Sequence, residues 1–196
     1  MGRKKGSKYE RIIEAAVDVI AKYGFHQAKV ANIAKAAGVA DGTIYLYFKS
    51  KEDILVSIFE EKMGEIINKI RKKIALTASP LDKLFMLIEV HLKQLAERES
   101  LAIVTQVELR QADPQLRKKI NEIYEDYLFL IEEILREGKE KGHFSNDLDI
   151  TLARQIVFGT LNEIITNWVM EDRPNDLVSL AKPVHKLFIN TFCCNK

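Results

Sequence analysis

Apolar residues recur along this chain at intervals of three and four positions, which is the period of an α-helix with one buried face. The clearest run is Ile12, Ala15, Ala16, Val19 and Ile20. No alternating run of polar and apolar residues bounded by turn dipeptides predicts a β-strand. The sequence therefore predicts an all-α fold with roughly nine helices.

The ends of these helices are marked by capping residues, prolines and glycines. Ser-Pro at 79–80 and Asp-Pro at 113–114 each place a capping side chain before a proline in the first turn. Glycine favours the left-handed conformation that ends helices, and Gly24, Gly38, Gly138 and Gly142 are the expected terminators. A break at Pro174 and a kink or restart at Pro183 are also expected. Helices of the body are predicted at about 51–76 (capped by Ser50), 80–97, 114–137, 149–171 (capped by Asp147 or Asp149) and 176–192, with a shorter helix at about 100–111.

Composition excludes several classes of protein. The longest stretch without Asp, Glu, Lys or Arg is nine residues, Leu187–Asn195, whereas a membrane helix needs ~20 apolar residues. The basic start of the chain has no apolar run behind it, so no secretory signal is predicted and the protein is expected in the cytoplasm. The four histidines and the adjacent Cys193 and Cys194 lack metal-ligand spacing,. Neither a nucleotide-binding fingerprint nor a nucleophile motif occurs, so neither a cofactor nor an enzymatic activity is predicted.

Charge is divided unevenly along the chain. The net charge of the 196 residues is +2, but residues 1–50 contain nine Lys or Arg against four Asp or Glu, and the remainder is net acidic. A basic module that binds a polyanion, joined to a different body, explains this asymmetry. We predict domains at 1–54 and 55–196.

The basic module has the pattern of a helix-turn-helix. A helix at 30–37 is followed by a tight turn around Gly38 and a second helix at 41–48,. Ile44 and Phe48 are four residues apart and can face the core. The polar side chains beside them suit phosphates and base edges in a major groove, and a glycine allows close approach of the backbone. These candidates are Gly42, Thr43, Tyr45, Tyr47, Lys49 and Lys51. An ordinary three-helix cap with a tyrosine-rich surface is the alternative.

The segment from Gly24 to Leu55, GFHQAKVANIAKAAGVADGTIYLYFKSKEDIL, resembles the DNA-binding domain of TetR-family repressors. The resemblance implies base or phosphate contacts from Thr43 and Tyr47, and phosphate contacts from Tyr45 and Lys51. Lys29 stands where the family usually has a capping Ser or Thr, and could contact a phosphate instead. Lys4, Lys5 and Lys8 form an arm that either follows the DNA or is a solvated tail.

Further segments resemble one subgroup of that family, the repressors of fatty-acid degradation in bacilli. They are ADGTIYLYFKSKEDI at 40–54, LAIVTQVELRQ at 101–111 and LARQIVFGTLNEIITNWVM at 152–170. This resemblance implies a repressor of β-oxidation genes with a long-chain acyl-CoA as effector. The composition and spacing of the residues do not by themselves identify that ligand.

Large apolar side chains on successive helices of the body are candidates for an acyl-chain tunnel, although core packing is the better explanation for most of them. They are Phe85, Ile88, Leu92, Ile103, Val107, Tyr124, Tyr127, Leu128, Phe158 and Trp168. Cations would be needed for the CoA phosphates, and Arg110 is the first choice ahead of Lys93, Arg117 and Lys118.

The helix at 149–171 is apolar on nearly all sides, so a partner subunit is expected to cover one of them. With the last helix it would form a homodimer, whereas a central helix in a monomer is the alternative. The expected interface residues are Ile156, Leu161, Ile164, Ile165, Leu187 and Phe188.

These predictions combine into a homodimer on a palindromic double-stranded DNA operator, with no membrane partner. Effector binding would shift the 51–76 helix and change the separation of the two recognition helices. One rival is a repressor of an efflux pump that senses aromatic or cationic drugs. A second rival is a lipid-binding carrier or enzyme without a role on DNA.

Overall fold

The computed structural model describes residues 6–171 and 176–193, and within them it contains helices and no strand. The all-α prediction is confirmed. None of the helices among these residues is both long and apolar enough to cross a membrane. The helices are α1 (Ser7–Gln27), α2 (Val30–Ala37), α3 (Asp41–Ile44), α4 (Lys51–Ile74), α5 (Pro80–Ala96), α6 (Glu99–Glu108), α7 (Pro114–Glu140), α8 (Ile150–Met170), a 3-10 helix (Leu177–Leu180) and α9 (Ala181–Phe192).

Most of the predicted helix starts are confirmed by side-chain caps. Ser50 Oγ accepts the Asp53 N–H at 3.2 Å, Asp113 Oδ1 accepts the Leu116 N–H at 2.7 Å, and Asp149 Oδ1 accepts the Leu152 N–H at 2.9 Å. These bonds satisfy amides that have no partner inside their own helix. Ser79 occupies the N-cap position of α5, but its side chain makes no capping bond. Pro183 lies in the first turn of α9, where a missing N–H costs nothing, so it restarts the helix as predicted.

Gly138 has a different role from the one predicted. It lies inside α7, which continues to Glu140, and Gly142 with φ 71° follows the helix end. A Cβ on Gly138 would lie 2.2 Å from two ring carbons of the buried Phe144. Gly138 is therefore the place where a returning aromatic ring packs on the helix backbone. The predicted break at Pro174 lies outside the described residues.

The chain forms two compact units that do not follow the predicted division after residue 54. Unit 1 comprises Met1–Lys62 and Ser100–Glu122, and unit 2 comprises Met63–Glu99 and Ile123–Lys196. The first half of α4 lies in unit 1 and its second half in unit 2. Unit 1 thus contains most of α6 and the start of α7 as well as the N-terminal helices. The predicted boundary after residue 54, between a DNA-binding domain and an effector-binding domain, stays a prediction.

Unit 1 is built around an apolar core from α1, α2, α3 and α4. Ile12, Ile33 and Ile54 are fully buried, and the Tyr9 ring stacks on Phe48 with 5.3 Å between ring centroids. Ile44 and Phe48 are buried as the sequence predicted. Two polar contacts add to the packing of α1 and α4. Lys62 Nζ pairs with Glu14 Oε1 at 2.5 Å, and the Tyr9 hydroxyl donates to Glu61 Oε1 at 3.3 Å.

Unit 2 is a helical bundle. Helix α5 packs against α8, the 3-10 helix and α9, and Arg154 on α8 pairs with Glu132 on α7 at 2.8 Å. Lys83 on α5 pairs with Glu137 on α7 at 2.7 Å. Together these contacts close the bundle around α5.

Candidate functional site

The turn between α2 and α3 has the geometry of a helix-turn-helix. Gly38 is left-handed at φ 65° and ends α2. The N–H of Gly38 donates to Lys35 O at 3.2 Å, and the Val39 N–H donates to Ala34 O at 3.0 Å. These two bonds satisfy the last carbonyls of α2 and turn the chain sharply into α3.

The second helix of this motif is shorter than predicted. α3 covers Asp41–Ile44, and the chain then continues through turns, with Leu46 N–H on Thr43 O at 3.2 Å and Tyr47 N–H on Ile44 O at 3.0 Å. These turns bring the side chains of both Ile44 and Phe48 into the core. A full helix to residue 48 is therefore not required to bury them. The predicted span 41–48 is therefore wrong at its C-terminal end.

The candidate DNA-contacting residues differ in exposure. Gly42, Tyr45 and Lys49 are exposed, whereas Thr43 and Tyr47 are half-buried, and the Tyr47 ring lies 6.1 Å from the Tyr9 ring. One side of the Tyr47 ring thus packs against Tyr9 in the core of unit 1.

Leu46 was missed by the sequence reasoning. Its side chain is 82% exposed, and the neighbouring Tyr45 is 61% exposed. The signal was available, because a residue midway between the core-facing Ile44 and Phe48 must point away from the core. An exposed leucine beside polar candidates can contact the methyl group of a thymine.

Lys51 is engaged by the protein itself, and the phosphate contact implied by the resemblance stays a prediction. Its ammonium donates to the carbonyls of Phe25, His26 and Ala28 at 2.7, 3.0 and 3.2 Å. It also lies 4.7 Å from the centroid of the Phe25 ring. An ammonium has three N–H donors, so these three carbonyls match its full donor capacity. We call this arrangement the Lys51 clamp.

Lys29 is the N-cap residue of α2 and makes no side-chain cap, consistent with the missing Ser or Thr. It borders a depression of about 550 Å³ together with Asp41, Tyr45 and Ser50. Lys8 is exposed in the first turn of α1, while Lys4 and Lys5 lie outside the described residues. Lys29 and Tyr45 thus line the same depression of unit 1.

The end of α6 is tied to the end of α1 inside unit 1. Gly24, at φ 72° and ψ 154°, interrupts α1, and the N–H of Phe25 then donates to the buried Glu108 Oε1 at 2.9 Å. The other Glu108 oxygen accepts from Gln111. The short turn after Gly24 is therefore held at its start by Glu108 and at its end by the Lys51 clamp.

Some of the predicted effector-pocket residues belong to unit 1, and their role stays a prediction. Val107 and Arg110 border a depression of about 410 Å³ formed with the segment 23–27 of unit 1, and both are exposed. Ile103, half-buried, also belongs to unit 1. Arg117, another candidate cation, donates to the carbonyls of Gln111 and Ala112 at 3.0 and 3.3 Å. Both bonds come from Nη1 and reach the loop between α6 and α7.

The remaining pocket candidates belong to unit 2. Ile88, Leu92, Tyr124 and Tyr127 are buried. Phe85, Leu128, Phe158 and Trp168 are half-buried. The ring centroid of Phe158 lies 5.7 Å from that of Tyr124 and 6.2 Å from that of Tyr127.

His91 belongs to this aromatic cluster and was not predicted from the sequence. Its ring centroid lies 5.2 Å from that of Tyr127. Burial away from water disfavours the imidazolium and lowers the pKa of His91 to about 4,. Burial raises the pKa of Tyr127 far above its ordinary value. Both side chains are therefore neutral at physiological pH.

The predicted dimer residues divide into two groups. Leu161, Ile165 and Phe188 are buried within unit 2 itself, and their assignment to a subunit interface stays a prediction. Ile156 and Leu187 are exposed and Ile164 is half-buried. Helices α8 and α9 also expose Leu152 and Met170, and Leu187 is 62% exposed.

Both the N-terminal and the C-terminal part of the chain are similar to known protein families. Residues 12–58 match the family model described as bacterial regulatory proteins, tetR family. Residues 59–191 match the model described as YsiA-like protein, C-terminal region. The fatty acid metabolism regulator protein of Bacillus subtilis is 51% identical over 188 residues, covering 96% of this chain and 97% of that protein.

Two solved structures share the fold over nearly the whole chain. The fatty acid degradation regulator FadR from Bacillus halodurans has a TM-score of 0.90 and 57% identity, covering 92% of this chain and 97% of that one. The transcriptional regulator FadR from Bacillus subtilis, solved in complex with stearoyl-CoA, has a TM-score of 0.90 and 52% identity over the same shares. With the helix-turn-helix geometry above, these matches show that the chain belongs to the TetR family of bacterial regulatory proteins.

Proposed function

We propose that this protein is a DNA-binding repressor of fatty-acid degradation genes, and that a long-chain acyl-CoA releases it from its operator. The observation that carries the proposal is the 52% identity, over 92% of the chain, to a regulator whose crystal structure contains stearoyl-CoA. The similarity extends over nearly the whole chain, so it includes both the helix-turn-helix and the C-terminal helices.

On the DNA side, the exposed polar groups around α3 form the contact surface. Tyr45 and Lys49 reach phosphates, Thr43 and Tyr47 reach phosphates or base edges, and Gly42 allows the backbone to approach. Leu46 contacts the methyl group of a thymine. Lys29 and Lys8 add cations at the edges of this surface, so affinity for DNA falls steeply with salt.

On the effector side, unit 2 offers an interior of aromatic and aliphatic side chains between α5, α7 and α8. Burying ten methylenes of an acyl chain contributes roughly 8 kcal/mol before the costs of ordering are subtracted. Ile88, Leu92, Tyr124, Tyr127 and Phe158 are the proposed lining residues.

Dimerisation follows from the apolar surface that unit 2 leaves exposed. Leu152, Ile156, Met170 and Leu187 lie on α8 and α9, and a second copy would bury them in an isologous interface. A twofold dimer presents two recognition helices to a palindromic operator whose half-sites lie about 34–36 Å apart.

Coupling between the two functions runs through helices that enter both units. α4 begins with Lys51, which forms the clamp, and continues into unit 2. α6 begins at Glu99, the last residue of a unit 2 segment, and continues into unit 1, where it carries Glu108. A shift of either helix on effector binding alters the turn that joins α1 to α2. By linkage, operator and effector then weaken each other's binding by the same factor.

The test measures binding of the protein to the promoter DNA of β-oxidation genes by fluorescence anisotropy, with palmitoyl-CoA or stearoyl-CoA added. Release by the acyl-CoAs, with no release by free CoA or by cationic dyes, supports the proposal. Release by dyes alone would identify a drug-responsive repressor. Absence of salt-dependent DNA binding would identify a lipid-binding protein without a role on DNA.

A further inference from the structure

The interior of unit 2 contains a pair of polar side chains whose hydrogen-bonding capacity is unused. His91 on α5 is 4% exposed and Tyr127 on α7 is 0% exposed. Within residues 6–171 and 176–193, neither ring nitrogen of His91 nor the Tyr127 hydroxyl has a hydrogen-bond partner. Leaving a buried donor or acceptor without a partner costs about 1–3 kcal/mol, so two adjacent cases need an explanation.

The buried residues beside the pair along α5 and α7 are apolar, and they offer no side-chain hydrogen-bond partner. Leu87, Ile88 and Leu92 on α5, and Leu130 and Ile131 on α7, are all buried. The Phe158 ring lies beside Tyr127, on the side of α8. A phenylalanine and a leucine would pack at positions 127 and 91 without the cost of buried polar atoms, so the polar atoms are retained for something that enters the interior.

We propose that His91 and Tyr127 are the polar anchor of the effector site, and that they donate hydrogen bonds to the thioester carbonyl of a bound acyl-CoA. The assignment rests on the proposed function. A neutral imidazole offers one N–H and a tyrosine one O–H, and a carbonyl oxygen accepts two hydrogen bonds.

The thioester is the group that fits this position chemically. An acyl chain carries no polar atom along its length, so the first acceptor that follows a chain into an apolar interior is the carbonyl at its head. Neutral donors suit an uncharged carbonyl, whereas a free carboxylate would bring an unpaired charge into the interior at a large cost. The pair therefore selects acyl-CoA against the free fatty acid.

The experiment compares stearoyl-CoA with S-octadecyl-CoA, a thioether that lacks the carbonyl oxygen, by isothermal titration calorimetry on the full-length protein. For the wild type, we expect the thioester to bind about tenfold more tightly, as the loss of one to two hydrogen bonds predicts. In the Tyr127→Phe variant this ratio falls towards one, and His91→Leu reduces it as well. Tyr127→Phe removes an oxygen without a protein partner, so its thermal stability equals or exceeds that of the wild type.

The control is Tyr23→Phe, the same chemical change at an exposed tyrosine in unit 1, and it keeps the wild-type ratio. A wild-type ratio of one, or a tenfold ratio that survives in Tyr127→Phe, overturns the anchor while leaving the effector class intact. If the wild type binds neither CoA derivative, the proposed effector is itself wrong, and the anchor falls with it.

Discussion

Replacing Lys51 by methionine distinguishes a structural clamp from a DNA contact. Lys51→Met keeps the length and most of the apolar stem of the side chain but removes the ammonium. The carbonyls of Phe25, His26 and Ala28 then lose a donor at 2.7, 3.0 and 3.2 Å.

The expected loss of stability follows from how these carbonyls are exposed. The bonds to Phe25 and Ala28 are partly buried, whereas water can replace the ammonium at the exposed bond to His26. Hydrogen bonds to charged groups contribute ~1.5–3 kcal/mol each when buried, and the cation–π contact with Phe25 adds ~0.5 kcal/mol. Because the site is partly solvated and the contributions are not additive, we expect the free energy of unfolding to fall by about 2–3 kcal/mol.

Two measurements decide between the roles. Urea unfolding gives the change in stability, and the slope of log K against log salt for operator binding counts phosphate contacts at about 0.9 each. For Lys51→Met we expect reduced stability and an unchanged slope. The control Lys49→Met, at an exposed position, should lower the slope by about 0.9 per subunit and leave stability unchanged. A lowered slope with full stability in Lys51→Met would refute the clamp and restore the phosphate contact.

Three further substitutions test other parts of the structure. Gly138→Ala should destabilise the protein by about 1–3 kcal/mol in thermal unfolding, because the added Cβ would overlap the buried ring of Phe144,. The control Gly64→Ala, in open space on α4, should stabilise the protein by up to ~1 kcal/mol. Equal effects of the two substitutions would contradict the packing role of Gly138. Leu187→Glu should convert the proposed dimer into monomer in analytical ultracentrifugation, while Lys186→Glu on the same helix should not. A dimeric Leu187→Glu variant would place the interface elsewhere. The pKa of His91 is lowered from 6.5 to about 4. Between these two pH values the imidazole is protonated in the unfolded chain but stays neutral in the folded chain. Stability is therefore lost as the pH falls from 6.5 towards 4, by on the order of 3 kcal/mol. His91→Leu should flatten this pH dependence in urea unfolding, and an unchanged dependence would show that another group is responsible.

Local signals in the sequence were sufficient for the helices and for the DNA-binding motif. Ser50, Asp113 and Asp149 cap helices whose amides lie three residues away, and Gly38 turns the chain between two helices that are adjacent in sequence. Interactions of this range are decided by residue type and spacing. The prediction of an all-α fold with a helix-turn-helix rests on them.

What the tertiary structure decided are the roles that depend on partners distant in the chain. Lys51 meets carbonyls 23 to 26 residues away, Glu108 meets an amide 83 residues away, and His91 lies against a tyrosine on another helix. The helical period places Leu161 on the apolar face of α8. Which faces of α8 are covered by its own bundle depends on how the helices assemble. Burial and the pairing of polar atoms are properties of that assembly, so the clamp, the unpaired interior donors and the exposed apolar residues of α8 and α9 became visible only in three dimensions.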